Sequence, residues 1–246
     1  MRATYLITVQ EIKGFFNSIM GYIILTMFLL IYGFVFWFLV NAFSNPQNTF
    51  NEPFSNFFFG TFYYWFILII VPPLLTMRSI AEERKSGTLE LILTAPVSET
   101  QLVIAKFTAS FIFYIFMWST TLFYFYLIGA HTQLEWTRIF IGYLGTFLVG
   151  SVFISIGIFS SAISKNQIVA AIISFGMGLL IFSLSFISYF IDFQRLKSFL
   201  DYINIMESMM KFAQGILDTR PIVYFISLSV FFLFLSVKML DSQRWR

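Results

Sequence analysis

The densest chemistry in this chain belongs to Arg78, Glu82, Glu83, Arg84, Lys85 and Glu90, all between positions 78 and 90. They lie in the segment Met77-Arg78-Ser79-Ile80-Ala81-Glu82-Glu83-Arg84-Lys85-Ser86-Gly87-Thr88-Leu89-Glu90-Leu91-Ile92-Leu93-Thr94-Ala95-Pro96-Val97-Ser98, with long apolar runs on both sides. In hydrocarbon each of these charges would cost about 2.5–3.5 kcal/mol. The segment therefore projects into water between two membrane spans. Its residue types suit ionic and apolar contact with a partner, not bond-making chemistry.

Other chemistries lack their residues. There is no cysteine, so disulfides, thiolate catalysis and Cys-ligated metals are excluded. The single histidine, His131, falls at the outer end of a span, where a lone His is ordinarily an interfacial polar residue. No His-Glu-x-x-His is present, and the mid-span regions hold no Asp or Glu. An intramembrane lipid-processing enzyme would need such groups. A passive, charge-lined channel would need ionisable rings within its spans. A path for a lipid or hydrophobic peptide needs none, which favours an amphiphilic cargo. No Gly-x-x-x-x-Gly-Lys phosphate loop occurs, so the chain is not expected to bind or hydrolyse ATP, and no cofactor, metal or nucleic acid is expected on it.

Local pattern shapes the charged segment. The helix of span 2 is expected to run on through Glu82-Glu83-Arg84-Lys85, with Arg78 and Glu82 spaced i, i+4 for pairing. Gly87 permits a sharp turn. Thr88, Leu89, Glu90, Leu91, Ile92, Leu93 and Thr94 make one or two helical turns with Leu89, Ile92 and Leu93 on one side, and Pro96 stops them. Ser98-Glu99-Thr100-Gln101 has capping-box form and starts the next helix. A stiff amphipathic helix of this kind can be gripped in a groove. The alternative is a loop that only satisfies its own charges.

The elements that hold this segment follow from composition. Of 246 residues, 59% are hydrophobic and 11% charged, against about 25% charged in soluble domains. That deficit makes the chain an all-α polytopic membrane protein. Six spans are expected, near 19–40, 57–76, 107–128, 139–163, 168–190 and 222–240, each close to the ~20 residues that cross a bilayer. The first run is too long for a signal-peptide core and lacks a cleavage site, so it is expected to stay. Residues 1–18 read as an interfacial helix with Tyr5, Val9, Ile12 and Phe16 as its apolar stripe and Thr4, Thr8 and Glu11 away from it; the alternative is one long helix continuous with span 1.

With the N-terminus inside, the inner side holds Arg2, Lys13, Arg78, Arg84, Lys85, Lys106, Lys165, Lys238, Arg244 and Arg246, ten cations against five outside. Both termini and the 77–106 segment are thus expected in the cytoplasm. Pro72-Pro73 predicts a kink late in span 2, either a static bend or a hinge above the charged loop. Gly142, Thr146, Gly150, Gly157 and Ser161 put a small-residue face on span 4, read as ordinary helix packing. Residues 191–221 read as two short outer helices, the first around Phe193, Leu196, Phe199 and Leu200, the second around Ile205, Met209 and Phe212. The whole chain reads as one transmembrane domain.

The pattern Met77-Arg78-x-x-Ala81-Glu82-Glu83-Arg84-x-x-Gly87-Thr88-x-Glu90-x-Ile92-Leu93-x-x-Pro96-Val97 resembles the cytoplasmic loop of ABC-2 type transporter permeases. It is most similar to the gliding-motility-associated and nitrous-oxide-reductase-maturation branches. Phe212-Ala213-Gln214-Gly215-Ile216-Leu217-Asp218, Val223-Tyr224-Phe225 and Phe232-Leu233-Phe234-Leu235 are also similar to the gliding-type branch. The resemblance implies a half-transporter of a bacterial cytoplasmic (inner) membrane. Two permease copies, identical or paralogous, would each rest on a separate ABC ATPase subunit that binds ATP and Mg2+. It implies that residues 88–94 are the coupling helix seated in the ATPase, beside Glu82-Glu83-Arg84. Membrane lipids are further partners, and an accessory periplasmic subunit is a further implication of the gliding-type branch.

Overall fold

A computed structural model describes residues 2–45, 53–88, 97–187 and 202–244. Among the described residues the regular structure is helical, and six helical runs are long and apolar enough to cross a membrane. This is a multi-pass membrane protein. The expected 191–221 segment is described from 202 onward; its first predicted helix lies outside the described residues.

Helix α1 (Arg2–Asn17) ends at Ser18, whose extended backbone and side chain cap α2 (Ile19–Ser44) by accepting from the Met20 amide. The elbow is tight: a Cβ on Gly21 would come within 2.1 Å of the Phe15 carbonyl oxygen. One continuous helix is thereby ruled out. Helix α1 turns back along α6 (Glu99–Ser119). The face it packs on α6 keeps Phe16 of the predicted stripe, which meets Phe113 and Phe116, but adds residues the stripe left out. Tyr5 is exposed, while Thr8 donates to the Ala105 carbonyl and Phe15 stacks on Phe113. Polar Thr8 and Glu11 face α6 because α6 offers them a carbonyl and a cation there.

Span 2 is divided. Helix α3 (Phe54–Gly60) stops where Thr61 takes an extended backbone, and the Thr61 hydroxyl then caps α4 (Phe62–Thr76) by accepting from the Tyr64 amide. The predicted single helix from 57 is corrected by this break. Phe58 and Phe59 of α3 bury themselves against Phe125 and Tyr143. Pro72 and Pro73 lie within the last turns of α4, and the Thr76 hydroxyl donates to the Pro72 carbonyl at 2.7 Å. The helix does not run on to Lys85 as expected. It gives way to a turn over 77–80 and restarts as α5 (Ala81–Lys85).

The helix leading into span 3 starts where its capping box was expected to start it. Ser98 and Gln101 form the reciprocal capping box, so α6 begins at Glu99. It breaks at Thr120-Thr121 before α7 (Leu122–Gly129). Helix α8 (Trp136–Ile163) is the hub, touching α3, α4, α6, α9 (Gln167–Ile187), α10 (Ile205–Ala213) and α11 (Thr219–Arg244). Its small residues serve contacts within the chain. Gly142 admits Phe59, Gly150 admits Tyr114, and Thr146 hydrogen-bonds the Tyr64 hydroxyl at 2.9 Å. Spans containing α4 and α8 are 78% and 67% buried within the chain, against 22–28% for α2, α9 and α11. The outer three leave Leu30, Trp37, Ile172 and Phe231 exposed on the outside of the chain. Helix α10 bears out the predicted amphipathic spacing: Ile205, Met209 and Phe212 are buried, and Glu207 pairs with Lys211 on the other side.

Candidate functional site

The site lies where α4 ends, α6 and α9 begin and α8 ends. Close approach of α4 and α8 is made possible by Gly157, where a Cβ would lie 1.9 Å from the Thr76 Oγ1. One turn further, the buried Ser161 hydroxyl does three things. It accepts from the amides of Ile80 and Ala81 at 3.0 and 2.9 Å and donates to the Met77 carbonyl at 3.3 Å. The first turn of a helix has amides with no partner of its own. Ser161 supplies that partner, so α5 starts at a place chosen by α8 and not by its own sequence.

Arg84 then reaches back to α8. Its two terminal nitrogens donate to the carbonyls of Ala162 and Ser164 at 2.5 and 2.6 Å. The fork neutralises the carbonyls left open at a helix C-terminus, where a cation is also favoured by the helix dipole. Arg78 donates to Gln167 at the start of α9 and lies 3.7 Å from Glu82, bearing out the i, i+4 pair. That pair is exposed and worth little.

Glu83 turns the other way. Its Oε1 accepts from Lys106 Nζ at 2.6 Å, and the same ammonium donates to Glu11 Oε1 at 2.6 Å. The Lys106 side chain is only 1% exposed, while Glu11 and Glu83 keep 30% and 21%. Lys106, counted in the sequence as one of ten inner-side cations, is therefore buried and not solvated. It is the buried centre of a triad joining α1, α5 and α6. A cation so placed is tolerated because two carboxylates pair with it; unpaired, it would cost several kcal/mol.

Gly87 ends α5. Its φ of +75° is left-handed, which suits glycine. Thr88 follows, exposed, with its hydroxyl donating to the Glu83 carbonyl. Leu89, Glu90, Leu91, Ile92, Leu93 and Pro96 lie outside the described residues.

The structure thus joins Glu82, Glu83, Arg84, Gly87 and Thr88 in one short helix and its cap, and sets Pro72 and Pro73 directly above them in α4. It adds Glu11, Lys106 and Ser161, which the sequence reading missed as partners. A faint signal existed for two of them. Glu11 is the only acid in residues 1–18, and Lys106 is the only Lys or Arg between Lys85 and Arg138.

The description "ABC-2 family transporter protein" matches residues 44–238. The chain belongs to this family. As a member it is a permease subunit, the membrane component of an ABC transporter, and the family works with an ABC ATPase. The matched region contains the α4–α5–α6 arrangement, with Glu83 and Lys106, whereas Glu11 precedes it. A search among curated proteins finds no match.

Proposed function

We propose that this ABC-2 family chain is one transmembrane domain of an exporter, driven by an ATPase docked on residues 77–98. The observation that carries the proposal is the Lys106 triad with its neighbours. A displacement of the segment beyond Gly87 would act on a base already tied to α1 through Glu11, to α6 through Lys106 and to α8 through Arg84 and Ser161. Force at one loop would thereby reach three helices without relying on a flexible linker.

In this reading residues 88–94 are the coupling helix, and Pro72-Pro73 are a hinge between it and the span above. The end carrying the segment faces the cytoplasm of a bacterial inner membrane, together with both termini, and α1 lies in the interface with Tyr5 and Leu6 toward lipid. Two copies, or this chain and a paralogue, share two ATPase subunits that hold ATP and Mg2+. The cargo is amphiphilic and moves outward. Placement in the gliding-type branch, with its accessory periplasmic subunit, rests on the residues of 77–97 and 212–235 quoted above.

The test is a pull-down of the solubilised protein from its native membrane, repeated with Leu89→Asp/Ile92→Asp. A stoichiometric ATPase should accompany the natural sequence and be lost from the double variant, with membrane insertion retained. Normal recovery of the ATPase with the double variant would remove the coupling role.

A further inference from the structure

The Lys106 cluster holds more negative charge than its ammonium pairs. Glu11 and Glu83 each accept from the same Nζ at 2.6 Å, so one buried cation serves two carboxylates. Glu82 adjoins Glu83 on α5 and lines the same cleft of about 270 Å³. Arg78 is also on that cleft, but it is half-exposed and turned to Glu82 and Gln167, while Arg84 is engaged with the α8 carbonyls. Lys13 of α1 is exposed, and Glu99 stands about two turns before Lys106 on α6. Helices α8 and α9 pack on α5 too. Yet α9 has no charged residue, Arg138 of α8 is near its far end, and Lys165 is exposed in the link between them. Glu83 is the more enclosed of the two paired acids, and its Oε2 is buried with no hydrogen-bond partner among the described residues.

Two carboxylates that share a site favour a proton on one of them. An ionised oxygen buried without a donor is also costlier than a neutral carboxyl in the same place. Glu83 lies beyond the end of α4, in the segment that projects into water, and its side chain keeps 21% exposure. Water in the cleft can therefore deliver a proton, which needs no room of its own. Burial holds the Glu83 carboxyl above the ordinary carboxylate range; Lys106 works against this, and Glu11 and Glu82 add to it. We infer that Glu83 is a proton-binding site whose occupancy sets how firmly α5 is tied to α1 and α6. If α5 swings away, Glu83 enters water and its carboxyl behaves as an ordinary one. By linkage, the tied position holds the proton more tightly than the released one, so acid favours the tied position and that advantage is lost as pH rises through the raised value. On the coupling reading, which this one consequence rests on, an ATPase pulling at residues 88–94 must expel the proton, and an acid cytoplasm opposes transport.

Hydrogen exchange on the full-length chain in maltoside micelles reads the tie with no ATPase present. The range is about pH 8 to about pH 5.5, in which ordinary carboxylates stay ionised. Rates are expressed as protection factors, so that the chemical pH dependence of exchange cancels. On acidification the amides of residues 81–87 should gain about threefold or more in protection, and at most about tenfold for each pH unit. Residues 146–156 of α8 should stay level and serve as the reference. His131 sits at the opposite end of the span made by α6 and α7, away from these amides. Glu83→Gln, fixed in the neutral form, should show the low-pH protection at every pH. Glu11→Gln leaves Lys106 to Glu83 alone and should reduce the rise to less than about twofold. A level natural profile would overturn the site, as would protection that falls on acidification. So would a Glu83→Gln chain that keeps the rise, or a Glu11→Gln chain in which it is undiminished; the natural profile and Glu11→Gln decide the matter even if Glu83→Gln fails to insert. Failure of an ATPase to dock on residues 77–98 would remove the coupling reading and leave this titration standing, and a level profile would do the reverse.

Discussion

Lys106→Met tests the triad directly. The substitution keeps an unbranched apolar stem of similar reach and removes the ammonium. Two carboxylate oxygens that each lay 2.6 Å from Nζ then share a pocket with no cation between them. Breaking a fully buried ion pair by removing one partner costs about 3–5 kcal/mol. Here Glu11 and Glu83 retain contact with water, so the expected loss is near the low end, about 3 kcal/mol. For a chain of this size that corresponds to a fall of roughly 6–12 °C in Tm at about 2–4 °C per kcal/mol. The sharper measurement is the triple variant Glu11→Gln/Glu83→Gln/Lys106→Met. With all three charges removed nothing is left uncompensated, and replacing a buried ionic triad by neutral groups is often neutral or stabilising. Thermal denaturation in detergent should show most of the single-variant loss recovered in the triple, while coupling to an ATPase remains impaired because α1 and α5 no longer share a bond. A Lys106→Met protein with an unchanged Tm, or a triple variant no more stable than the single, would refute the reasoning.

Two further substitutions probe the frame that holds the segment. Gly157→Ala places a methyl against Thr76 Oγ1 and should cost about 1–3 kcal/mol by overpacking; Thr76→Ala in the same chain should restore much of it, read by the same melting experiment. Ser161→Ala leaves the Ile80 and Ala81 amides without their acceptor, for an expected loss of about 1–3 kcal/mol, and hydrogen exchange should rise at residues 80–84 before the rest of the chain.

The sequence by itself determined the class, the spans and the local punctuation of the charged segment. Insertion free energy adds up along consecutive residues, so a chain with so few charges declares its spans without reference to its partners. The Ser98–Gln101 capping box and the turn at Gly87 are equally local, and both stand in the structure where the spacing put them. Span interiors were less legible. Thr61 leaves the helix with an extended backbone inside an apolar run, and hydropathy is blind to such a break when a hydroxyl can cap the helix that follows.

Only the tertiary structure decided what the charges do. Lys106 meets Glu11 across 95 positions and Glu83 across 23, and Ser161 reaches Ile80 across 81. Periodicity assigns a residue to a face of its own helix, but it does not say which helix covers that face. Glu11 therefore read only as a residue away from the apolar stripe and Lys106 only as one of the inner-side cations, because each was weighed alone against water and lipid. Burial of a charge becomes tolerable only when its partners are brought to it, and that depends on how α1, α5 and α6 pack together.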